Sequence, residues 1–185
     1  MSSSDIYSFC PEYRNNRVTL RKTMPEDAPA LLKCYSDEKA VPLFNADNCN
    51  GDDFHYEALE QLYRTMDLWE YSYTIRSFVR WSVIVNDTDE AIGTIEMFGR
   101  GPDAALGRFG ILRIDLRSDY ETRPVITDIL EIADTYFFGA FDVNVILTKA
   151  IPVAAVRIQT LLDAGYKPYE GNLLKHGDYF YITKQ

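Results

Sequence analysis

The stretch GILRIDLRSDYETRPVIT, residues 110–127, decides how this chain folds. Residues 110–116 form a hydrophobic run of strand length that ends in a short charged loop, RSDYETR. Pro124 suits the first position of a helix, where its missing N–H is not needed and its φ is already helical. Asp119 and Glu121 just before it complement the positive end of a helix dipole. Val125, Ile126, Ile129, Leu130, Ile132, Ala133 and Phe137 then carry an apolar face to about residue 138. FDVNVILTKA follows and supplies a strand at 143–148. A strand, a helix and a second strand in this order make a right-handed parallel crossover.

Outward from this unit the pattern extends both ways. RVTLRK (17–22) alternates like a half-buried strand, and PEDAPALLKCYSD opens a helix near Pro25. Phe54, Ala58, Leu62, Met66 and Trp69 recur at helical spacing and predict a second helix over 52–69. FVRWSVIV (78–85) and AIGTIEMF (91–98) read as strands joined through the turn NDTDE, and 99–107 reads as a loop. A last helix over 152–164 ends at Gly165, and GYKPYE and DYFYITK close the chain as an antiparallel pair with LLKHGD near its turn. The predicted order is β-α-α-β-β-β-α-β-α-β-β, an α/β chain whose mixed sheet is flanked by helices. Its 185 residues make one domain over 1–185, with 1–16 an irregular arm.

Composition excludes several classes. No run of eighteen apolar residues is present, so no membrane-spanning helix is expected. MSSSDIYSFC has neither the basic nor the apolar region of a secretory signal. Cys10, Cys34 and Cys49 form no CxxC pair and are odd in number, which points to a reducing, cytoplasmic setting. The net charge of −9 disfavours nucleic acid and anionic membrane surfaces and favours cationic partners such as amines or basic peptides. His55 and His176 stand alone, so no metal site is expected. No GxSxG, GxxxxGK[ST] or GxGxxG occurs, which disfavours hydrolase, P-loop and dinucleotide-binding readings.

VTLRKTMPEDAPALLKCYSD, FVRWSVIVNDTDEAIGTIEMF and IPVAAVRIQTLLDAGYKPYEG, together with the element order, resemble the GNAT superfamily of N-acetyltransferases. The similarity is greatest to the branch that includes ribosomal-protein N-terminal acetyltransferases. The resemblance implies acetyl-CoA lying in a split between two central strands, with a small-molecule or peptide amine as acceptor, and it leaves room for a homodimer. It places the backbone of Ile114 and Leu116 along the coenzyme arm. Thr122, Arg123, Val125, Ile126 and Thr127 fall at the diphosphate, and Ala154 and Arg157 at the start of the last helix.

Two family patterns are altered. Where the family has Gln/Arg-x-x-Gly-x-Gly/Ala, residues 121–126 read Glu-Thr-Arg-Pro-Val-Ile. Pro124 removes an N–H, and a lost hydrogen bond to a charged group costs roughly 1.5–3 kcal/mol. Glu121 sets a like charge beside a diphosphate, worth about 1 kcal/mol at 4 Å in water and more when desolvated. Arg123 could offset part of this. Together these terms weaken coenzyme binding by roughly ten- to a thousand-fold, although the same letters also suit a plain helix start. Where the family has Pro-x-Asn-x-x-Ser/Ala, residues 152–157 read Pro-Val-Ala-Ala-Val-Arg. Arg157 then either meets a phosphate or faces solvent, and Leu161 takes the place of a Tyr that serves as general acid in some members. Asp115 and Glu96, inside central strands, are the candidate proton acceptors. Tyr71, Tyr73, Phe78 and Trp81 divide between an acceptor cleft and core packing. Two classes stay open: an acetyl-CoA-dependent N-acetyltransferase, and a non-catalytic binding or interaction module on the same fold.

Overall fold

The computed structural model describes residues 5–171 and 175–184. Its sheet has eight strands in the order β1-β2-β3-β4-β5-β6-β8-β7. These are β1 (Tyr13–Arg14), β2 (Val18–Lys22), β3 (Val79–Val85), β4 (Glu90–Asp103), β5 (Gly107–Leu116), β6 (Val145–Lys149), β7 (Lys167–Pro168) and β8 (Tyr179–Thr183). Neighbours are antiparallel except β5 and β6, which run parallel as the crossover requires. One face is covered by α1 (Ala28–Tyr35) and α2 (Leu59–Thr74) through Leu31, Leu62 and Met66. The other carries α3 (Arg123–Ile132) and α5 (Ala155–Asp163) on a core of Trp81, Ile95, Leu112, Ile129 and Leu161. A π-helical stretch, Ala133–Phe137, links α3 to a short last turn, α4 (Phe138–Ala140). The wider π turn puts Phe137 flat against Trp81, with ring centroids 5.0 Å apart.

The mixed sheet and the alternation of elements are as the sequence reads, with β1 added inside the N-terminal arm. Some boundaries move. The second helix starts at Leu59, not residue 52. Asp52 and Asp53 instead accept from the N–H groups of Phe54 and His55 two residues on, closing local turns that compete with a helix. Phe54 has φ +61° and is buried apart from the helix it was expected to begin. Much of the predicted 99–107 loop is strand, because β4 and β5 keep pairing out to Asp103 opposite Gly107. The Asp103 carboxylate accepts from Ala105 and Leu106 N–H and closes the tip. The last helix begins at Ala155 rather than 152, and Gly165 ends it at φ +89°. Part of LLKHGD lies outside the described residues.

Candidate active site

Pairing between β5 and β6 stops at Leu112 opposite Thr148, while β5 runs on to Leu116. The two strands part there. The Arg117 N–H donates to Ile92 O across the β4 side, and alternate residues of an antiparallel strand turn to the same partner. Arg113 and Asp115 therefore give their backbone groups to β4, and Ile114 and Leu116 turn theirs toward the split. Both of these side chains are buried in the core on the α3 side.

Beyond Leu116 the loop turns through Ser118–Tyr120 into α3. Val125 and Ile126 are core residues, Thr127 is half-buried, and Thr122 and Arg123 are exposed at the helix opening. The Arg123 guanidinium is turned to Asp163 of α5. Ala154, just before α5, is buried.

Arg157 neither faces solvent nor stands free. Its side chain is 1% exposed, and its fork holds Glu121 at 2.7 and 2.6 Å. A third donor, Nη1, reaches the Leu43 carbonyl at 3.2 Å. The acidic residue that the sequence adds ahead of α3 thus meets the basic residue it adds at the start of α5. Leu43 belongs to a strap, residues 41–50, within the connection from α1 to α2, and the strap contacts β5, β6 and β8. Arg113 donates to the Asp47 carbonyl, Lys149 grips the Asp47 carboxylate at 2.7 Å, and the Asn45 amide donates to the Tyr179 hydroxyl.

The two candidate carboxylates share a cation. Arg80 of β3 donates through Nη1 to Asp115 (3.1 Å), Thr94 and the Tyr35 hydroxyl, and through Nη2 to Glu96. Its plane lies 4.2 Å from the Trp69 ring centroid. Burial pulls the Arg80 pKa down, but Glu96, Tyr35 and Asp115 more than reverse this and raise it. Burial raises the Asp115 carboxyl against the pull of Arg80. Asp115 lies under Tyr35, and its Oδ1 has no partner among the described residues. Glu96 also takes a bond from Arg113 at 2.9 Å and borders a pocket of about 350 Å³ between α2, the strap and the sheet. Trp69, Phe78, Phe98, Arg113 and Tyr179 line that pocket with it. Of the four aromatics singled out, Phe78 faces this pocket and Tyr73 a second one beside Lys22. Tyr71 is exposed, and Trp81 is core.

Sequence reading passed over Arg80, Tyr35 and the strap. Arg80 carried a signal all the same: it is the one charge in a strand that is otherwise apolar but for Ser82, FVRWSVIV. Tyr35 and Leu43 carry none, since only the chain path brings them to the split.

The chain matches the acetyltransferase (GNAT) domain over residues 17–158 and belongs to that family. It is 27% identical over 85 residues to the uncharacterized N-acetyltransferase YoaA of Bacillus subtilis, a match covering 46% of this chain and 44% of that protein. The chain thus spans less than half the length of this curated relative. Among solved structures, Mycobacterium smegmatis RimJ in complex with CoA-disulfide has a TM-score of 0.69 at 17% identity, covering 90% of this chain and 81% of that one. A GNAT-family acetyltransferase from Bacillus anthracis has a TM-score of 0.67 at 12% identity, covering 94% and 99%. The ribosomal-protein-S5-alanine acetyltransferase of Vibrio fischeri gives 0.63 at 12%, covering 94% and 97%. These likenesses establish the fold.

The donor set suits the anionic arm that the family binds. Ile114 and Leu116 offer backbone groups along the split, and the buried Thr148 hydroxyl beside its vertex has no partner among the described residues. Arg157 sets a guanidinium fork against the loop before α3, where the family resemblance implies a diphosphate and where Pro124 has no N–H to offer.

Proposed function

We propose that the chain is an N-acetyltransferase that takes its acyl group from acetyl-CoA and delivers it to a primary amine, on a peptide N-terminus or a small molecule. The observation that carries this reading is the adjacency of two features on neighbouring strands. One is the split at Leu112/Thr148, and the other is the pocket whose floor holds Glu96. Bound acetyl-CoA supplies an activated thioester carbonyl. The split's backbone groups at Ile114 and Leu116, with Arg157 at the far end, would hold it.

Glu96 is the pocket carboxylate suited to an incoming ammonium and to accepting its proton. One lone pair on each oxygen is engaged, by Arg80 and Arg113, and the others have no partner among the described residues and are available to an amine or water in the pocket. Arg80 and Arg113 are positioning residues that fix the carboxylate at the pocket floor. Asp115 sits beneath Tyr35, so its part is to anchor Arg80 rather than to touch an acceptor. Trp69, Phe78 and Phe98 give the pocket apolar walls that exclude water around a neutral amine. A cytoplasmic setting is part of the same reading, in keeping with three unpaired thiols, and so is the absence of nucleic-acid and membrane partners from an acidic surface.

The test is thiol release from acetyl-CoA across a panel of amines and N-terminal peptides. Turnover by the native chain that falls at least a hundred-fold in Glu96→Gln, with folding intact, supports the proposal. No turnover with any acceptor overturns it. The second reading, a binding or interaction module on the same scaffold, is favoured by the buried Glu121–Arg157 pair at the coenzyme's phosphate end.

A further inference from the structure

We infer that Glu121 is a built-in competitor for the coenzyme: its carboxylate occupies the Arg157 fork that the diphosphate would take, so that binding proceeds by exchange of one anion for the other. This rests on the acetyl-CoA reading above and says how that site is gated. Arg157 and Glu121 are both desolvated, with side-chain exposures of 1% and 8%. Buried ion pairs of this kind are seldom the most stable filling for a site, since apolar residues of similar volume often do as well. What the pair does supply is a guanidinium already oriented and already holding two coplanar oxygens. Carboxylate and phosphate offer a guanidinium the same bidentate geometry.

The surroundings allow the exchange. Glu121 lies on a loop between exposed Asp119 and exposed Thr122, so its side chain can swing to water without dragging core residues along. The Arg157 backbone is fixed in α5, so only its guanidinium has to shift. Its third bond, to the Leu43 carbonyl, links the exchange to the strap. A fork that moves toward a diphosphate loosens Leu43, while Asp47 and Asn45 keep the rest of the strap tied to Lys149, Arg113 and Tyr179. Arg117 and Arg123 are already committed to Glu90 and Asp119, and to Asp163. Arg157, desolvated and bonded through both fork donors to Glu121, is the guanidinium for which an exchange of partners carries the most energy. When a binding-competent state is a fraction of the population, apparent affinity drops by that fraction.

Calorimetric titration of CoA into the native chain, Glu121→Gln and Arg157→Met tests this, with amide exchange at Leu43 and Phe44 as a second readout. The expected result is CoA affinity at least ten-fold higher in Glu121→Gln and no higher than native in Arg157→Met. Exchange at Leu43 and Phe44 should rise when CoA is added to the native chain. Should Glu121→Gln fail to fold, Glu121→Asp keeps the charge, shortens the reach, and is expected to bind several-fold tighter than native. Equal affinity in the native and Glu121 variants, with no change at Leu43, overturns the competitor role and leaves the acetyl-CoA reading standing. No binding to any of these proteins at millimolar CoA overturns both.

Discussion

Replacing Arg80 by Met removes the cation from the most deeply buried polar cluster while keeping much of the side chain's length. Asp115 (1% exposed) then loses the only cation in direct contact with it among the described residues, and Glu96 (2% exposed) keeps its bond from Arg113. Tyr35 and Thr94 each lose a donor as well. Removing one member of a buried ion pair costs about 3–5 kcal/mol, chiefly because the charge left behind has neither water nor a partner. For a chain of this size each kcal/mol lowers Tm by about 2–4 °C, so the expected drop is roughly 6–20 °C at pH 7. Loss of stacking on Trp69 belongs to the same figure.

The pH dependence separates an orphaned carboxylate from lost packing. Burial already raises the Asp115 pKa, and without Arg80 it rises further. A carboxyl whose folded pKa lies above its unfolded value binds more protons when folded, so its folded state loses stability as pH rises. The deficit of Arg80→Met against native should therefore shrink as pH falls from 7 toward 4. Adding Asp115→Asn to Arg80→Met should recover at least a third of the loss at pH 7. Urea denaturation of the three proteins across this pH range measures both effects. A deficit under about 1 kcal/mol, or one that ignores both pH and the Asp115→Asn change, refutes the reasoning.

Other perturbations follow from single contacts. Asp134 accepts from the Tyr166 hydroxyl at 2.8 Å, and burial pushes its pKa up to about 6. The fold should lose roughly 2 kcal/mol as pH rises from about 4 to 6; Asp134→Asn should remove that slope in urea denaturation and raise stability at pH 7. Gly93→Ala sets a Cβ against the Asp115 carbonyl of the paired strand, where backbone cannot give way. It should cost about 1–3 kcal/mol or more, read as a lower Tm. The losses expected of Glu96→Gln in turnover and the gain expected of Glu121→Gln in CoA affinity complete the set, and both should leave the far-UV spectrum unchanged.

What the sequence determined by itself is the framework. Periodicity two in RVTLRK and FVRWSVIV, the apolar stripe of α3, Pro124 near its start and Gly165 after α5 are local signals, and each acts through backbone geometry within a few residues. They suffice for the order of elements and for the parallel crossover. They fail where short-range side-chain bonds outbid the pattern, as when Asp52 and Asp53 turn the chain ahead of Leu59. The candidate site divides the same way. The altered letters at 121, 124, 154 and 157 could be read singly, and Asp115 and Glu96 could be named as strand carboxylates. Only the tertiary structure brings Glu121 onto Arg157, 36 residues apart, and sets Leu43 under the same guanidinium from 114 residues away. It also gathers Arg80, Tyr35, Glu96 and Asp115 from four separate elements into one desolvated cluster. Charges far apart in sequence interact only weakly through water until the fold brings them together and removes the water between them, and so their pairing is a property of the packed chain.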